Sequence, residues 1–113
     1  MANLDEQLWE ACFEKEWAKA AFLLEGGAGT EWRGGLYKDT AIMQAASGGS
    51  LETVTLLFNR GANIHAQGKY GRNALMHAGS YNHSDIVCFL ADKGTDIHVR
   101  NIYGQDALLS ASL

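Results

Sequence analysis

Apolar residues recur along this chain at helical spacing, in short runs separated by glycine. From Thr40 to Ser47, Ala41, Ala45 and Ala46 accompany Ile42 and Met43, so the spacing predicts a helix over 40–47 with a small-residue face. Gly48-Gly49 breaks it, because glycine accepts the left-handed backbone of a tight bend. Val54, Leu56 and Leu57 then resume the helical period and predict a second helix over 51–59. Gly61 follows where a C′ cap belongs, and Gln67-Gly68-Lys69-Tyr70-Gly71 is turn chemistry. The same pattern predicts helix pairs over 73–80/84–92 and 5–13/17–25, with Asn82 and Lys15 at their bends. The fold class expected is all-α, with connecting hairpins too short to count as a sheet.

The pairs are copies of one another. Shifting residues 38–70 by 33 onto 71–103 leaves ten positions identical, among them Ala41/Ala74, Met43/Met76, Leu57/Leu90, Gly61/Gly94 and Tyr70/Tyr103. Upstream, a shift of 34 places Leu8, Ala11, Leu23, Gly27 and Ala28 on Ile42, Ala45, Leu57, Gly61 and Ala62, so one extra residue sits in the 29–37 connector. The chain therefore reads as one domain of units 4–37, 38–70 and 71–103 with a partial unit, 104–113. A pair of two-turn helices cannot bury its apolar face alone. Stacking gives each pair a neighbour, and stability becomes a sum of nearest-neighbour interfaces.

Leu56-Leu57-Phe58-Asn59-Arg60-Gly61-Ala62-Asn63-Ile64-His65 and Leu90-Ala91-Asp92-Lys93-Gly94-Thr95-Asp96-Ile97-His98 resemble the Leu-Leu-x-x-Gly-Ala-Asp-Val-Asn stretch of the ankyrin repeat family. Asn82-His83 resembles that family's Gly-His bend, and Phe22–Ala28 resembles the end of its second helix. The resemblance implies a solenoid of stacked helix-turn-helix units joined by short hairpins, and a protein–protein interaction module. The family's Thr-Pro-Leu-His becomes Thr40-Ala41-Ile42-Met43 and Asn73-Ala74-Leu75-Met76 here, in a chain with no proline. The resemblance thus implies less rigid helix starts and cohesion between units that rests more on packing, because the linking histidine is replaced by methionine.

The resemblance also implies where a partner would sit, on the turn tips and the first-helix faces. Carried onto this chain, those positions are Lys69, Tyr70 and Arg72, then Ile102, Tyr103 and Gln105, with Ser80 and Tyr81 at the bend end of a first helix. Tyr37 falls in register with Tyr70 and Tyr103, which makes a ladder of three tyrosines. Tyr and Arg are frequent interface anchors. The other readings are a structural segment of a longer repeat array and a small inhibitor of a signalling enzyme.

Composition narrows the partner. Nine basic and thirteen acidic residues leave a formal charge of −4, against the basic excess of a phosphate-backbone binder, so neither nucleic acid nor an anionic membrane is expected. The first residues lack a basic segment and an apolar run, and no stretch approaches the roughly 18 apolar residues of a membrane span. Two cysteines in different units, Cys12 and Cys88, suit a reducing, intracellular compartment, cytoplasmic or nuclear. No enzyme is expected: the four histidines lack zinc-helix spacing, and Gly26-Gly27-Ala28-Gly29-Thr30 follows a helix and lacks the Lys-Ser/Thr end of a phosphate loop. Neither metal nor cofactor is implied. Trp9 and Trp17 are expected to pack an N-terminal cap against the second unit. Ala107, Leu108, Leu109, Ala111 and Leu113 form an apolar stretch with no charge after Asp106, which suggests a missing continuation or a homodimer through that end.

Overall fold

The computed structural model describes residues 3–35, 38–68 and 71–94. Three helices in that span begin at a side-chain cap. The side-chain oxygens of Asn3, Ser50 and Asn73 accept the backbone N–H groups of Glu6, Thr53 and Met76, at 2.7, 3.2 and 2.9 Å. Each bond satisfies one of the amides that a helix start leaves without a partner. Six α-helices result: α1 Leu4–Phe13, α2 Trp17–Glu25, α3 Ala41–Gly48, α4 Leu51–Asn59, α5 Ala74–Ser80 and α6 Ser84–Asp92. Thr40 and Asn73 stand just outside as caps, so α3 and α5 begin one residue later than the apolar pattern suggests. The described residues contain no strand, only a single bridge between Gly34 and Asp39.

Each pair turns at one left-handed residue: Lys15 (φ 61°), Gly49 (φ 85°) and Asn82 (φ 63°). Each second helix ends at a glycine of positive φ: Gly27 (94°), Gly61 (90°) and Gly94 (97°). After Gly27 and Gly61 the next amide folds back onto the helix, Ala28 onto the Leu23 carbonyl and Ala62 onto the Leu57 carbonyl, both at 3.0 Å. These caps stop each second helix after about two turns, and those at Gly27 and Gly61 send the chain towards the next unit.

The first helices α1, α3 and α5 pack side by side, and α2, α4 and α6 form a second layer against them. The repeat register is visible in what is buried. Leu8, Ile42 and Leu75 share one level, Ala11, Ala45 and Ala78 another, and Cys12, Ala46 and Gly79 a third, all buried. Small residues at two of the three levels let neighbouring first helices approach closely. Leu57, Leu90 and Met43 fill the space between layers, fully buried, and each such side chain contributes about 1.5–3 kcal/mol.

Trp9 is buried and donates its indole N–H to the Asp39 carbonyl at 2.8 Å, and Trp17 lies over Gly48. Both tryptophans therefore pack the first unit onto the second, as expected.

Cohesion between units differs from the packing-dominated expectation. Met43 and Met76 are buried in place of the family's histidine, yet two other histidines supply hydrogen bonds. The His77 Nδ1 and the Ser47 hydroxyl share one at 3.0 Å, and His83 Nε2 donates to the Ser47 carbonyl at 3.0 Å. Between connectors, Glu31 accepts the Asn63 amide at 2.6 Å, and Arg33 donates to the Gln67 carbonyl at 2.7 Å. The polar links have moved from the helix start to its middle and to the next bend, so loss of the family histidine leaves the second and third units still tied by side-chain hydrogen bonds.

Candidate partner-binding face

The residues named from the resemblance lie in the turns before first helices and at the bend end of α5. Within the described residues, those are Arg72, Ser80 and Tyr81, and the fold brings Arg72 and Ser80 into contact. Arg72 leaves the turn before α5 and lies along that helix, its guanidinium donating to the Met76 carbonyl at 3.2 Å and to the Ser80 hydroxyl. Tyr81 follows as the C-cap, 61% exposed. The end of α5 thus presents an exposed aromatic residue, next in the chain to the serine that holds a half-buried arginine. Tyr37, Lys69, Tyr70, Ile102, Tyr103 and Gln105 lie outside the described residues, as does the 104–113 stretch on which a dimer was suggested.

The middle of this face is a polar network. Asp39, in register with Arg72, is buried, and its carboxylate accepts the Gln44 amide at 3.1 Å. Its other oxygen stands 3.7 Å from His77 Nε2. Asp39 and His77 belong to different units, so the two groups approach across the boundary between them, with no hydrogen bond to His77 Nε2.

The first unit adds a pair that the sequence reading missed. Phe13 and Glu14 occupy, by the shift of 34, the positions of Ser47 and Gly48, hence of Ser80 and Tyr81. Carrying the register one unit upstream would have found them. Phe13 is 55% exposed and lies flat on Trp9, ring centroids 5.3 Å apart at 10°. Trp32 meets the same indole edge-on at 5.9 Å and is half-buried, so it supports Trp9 from within. Carboxylates of Glu10, Glu14 and Glu16 surround a groove at this point.

Burial pushes the Cys12 thiol up to about 12, which leaves almost no thiolate at neutral pH. Cys88 is exposed on α6. Among the described residues no three His, Cys, Asp or Glu side chains converge on a point that could hold a metal, and no helix is long and apolar enough to cross a membrane.

Compared with known proteins, the chain matches the family model for ankyrin repeats, in three copies, over residues 8–101. A search of curated proteins finds no relative that matches.

Proposed function

The chain belongs to the ankyrin repeat family, and we propose that it binds another protein through the bend ends of its first helices and the turns that precede them. Ankyrin repeats are generally protein–protein interaction modules and are typically not enzymes. The observation that carries the reading is Tyr81, a large side chain 61% exposed at the end of α5, next in the chain to Ser80, whose hydroxyl holds the guanidinium of Arg72. Aromatic and arginine side chains are the usual anchors of an interface, and the hydrogen bonds of Arg72 already meet part of its ordering cost. Tyr70, Tyr103 and Tyr37 extend the same surface in this reading, together with Lys69, Ile102 and Gln105. The partner is a protein of the same intracellular compartment, cytoplasmic or nuclear, rather than nucleic acid or membrane.

Capture of a partner from the source cell with the whole chain, followed by titration of that partner, tests this. Tyr81→Ala, Tyr70→Ala and Tyr103→Ala are each expected to weaken binding about tenfold or more, equivalent to about 1.4 kcal/mol, with little change in melting temperature. Unchanged affinity in all three, at equal folded fraction, would remove the basis of the reading.

A further inference from the structure

The groove at the first-unit end of the face has a volume of about 500 Å³, with Trp9, Glu10, Phe13, Glu14, Glu16 and Lys19 lining it. One face of the Phe13 ring is covered by Trp9, and the side chain is otherwise more exposed than buried, at 55%. Glu10, Glu14 and Glu16 are exposed, and among the described residues none of the three takes part in an ion pair.

Two of these carboxylates stand where the fold disfavours them. Glu10 and Glu14 sit in and just beyond the last turn of α1, at the negative end of the helix dipole. The register shows that the architecture does not call for acids there: Glu10 corresponds to Gln44 and His77, and Glu14 to Gly48 and Tyr81. A local choice that works against the fold, beside an aromatic ring left in water, is what a functional site leads one to expect.

Resting on the protein-binding reading above, we propose that this groove receives an arginine side chain from a basic segment of the partner, its guanidinium lying on Phe13 and paired with Glu10 and Glu14. A guanidinium is planar and weakly hydrated. It stacks on an aromatic face and meets carboxylates with a rigid fork of donors, which the compact, strongly hydrated ammonium of lysine does not. Three carboxylates against one ammonium leave the groove negative and complementary to such a segment.

The probe is a fluorescein-labelled peptide of alternating glycine and arginine, beside its lysine counterpart, titrated into the full chain. The arginine peptide is expected to bind more tightly. Phe13→Ala, Phe13→Leu and the pair Glu10→Gln/Glu14→Gln should each weaken it at least fivefold, with melting temperatures checked alongside. The pair Glu52→Gln/Asp92→Asn removes the same charge from exposed positions on α4 and α6 and should change affinity less than twofold. Equal losses in the two charge pairs would mean attraction to net charge alone and would overturn the proposal, as would full binding by both Phe13 variants. With the captured partner, loss in Tyr81→Ala but not in the Phe13 and Glu10/Glu14 variants would overturn the groove while leaving the binding face intact. Loss in none of them would overturn both.

Discussion

Lys15 holds a left-handed backbone at φ 61° in the bend where the next unit has Gly49. A side chain in that region is disfavoured by about 1–2 kcal/mol, while glycine adds about 0.5–1 kcal/mol of unfolded-chain entropy. Lys15→Gly is therefore expected to be neutral or stabilising by up to about 1 kcal/mol, read from thermal unfolding; a clear loss would contradict this account of the bend. Gly49→Ala goes the other way. A Cβ there would lie 2.6 Å from His83 Cε1, so the backbone penalty combines with displacement of the ring that bonds to Ser47. The expected cost is about 2–3 kcal/mol. Gly61→Ala, at φ 90° with nothing within 4 Å, should lose only the backbone part. Cys12 gives a pH dependence. Its thiol moves from 9.0 to about 12 on folding through burial, so between those values the unfolded chain binds fewer protons. Stability is therefore full below pH 9 and falls above it, by at most about 1.4 kcal/mol per pH unit. Cys12→Ala should lack that contribution, measured as the difference between the two denaturation profiles across pH 8–11.

At the scale of the helix, α3 and α5 start on chemically different caps that the register makes equivalent. Asn73 is buried at 1% exposure and caps the Met76 amide at 2.9 Å. Asn73→Ala should cost about 1–2 kcal/mol, because a buried amide then loses its acceptor. Thr40 is also fully buried, yet its hydroxyl makes no hydrogen bond and its side chain does not cap α3. Thr40→Val keeps the shape and removes the unpaired group, so chemical denaturation should find it neutral or up to about 1 kcal/mol more stable. If both substitutions destabilised equally, Thr40 would be capping after all. The contrast also marks a limit of reading helix starts from residue type, since threonine and asparagine both qualify as caps and only the path of the backbone separates their roles.

The whole molecule behaves as a short one-dimensional stack, in which a unit is as stable as the neighbours on either side allow. Among the described residues, α3 packs against both α1 and α5, and α4 against both α2 and α6, whereas α2 meets α4 alone in its layer. Amide hydrogen exchange should accordingly be slowest at Ala45, Ala46, Val54 and Leu57, which are all buried, and faster in α2, where Phe22 is 74% exposed. Faster exchange in α3 than in α2 would show that the stack does not distribute its stability this way.

The six helices of the described residues, their three left-handed bends and the glycine caps could all be read from residue spacing. Helical periodicity and the backbone freedom of glycine act within a few residues, and an internal repeat reports the same local rule more than once. The levels of small buried residues, Ala11 with Ala45 and Ala78, followed from the same register. Other features depended on residues far apart in the chain. His77 and His83 became the links between the second and third units because stacking carries both to Ser47, about one unit away in sequence. Phe13 became an exposed platform because Trp9, held by the Asp39 carbonyl of the next unit, lies beneath it. Arg72 and Ser80 were each legible as surface positions, but their contact along α5 was not. Local spacing determines which segments become helices; which side chains then meet is decided by packing one unit on the next, where distances across the stack replace distances along the chain.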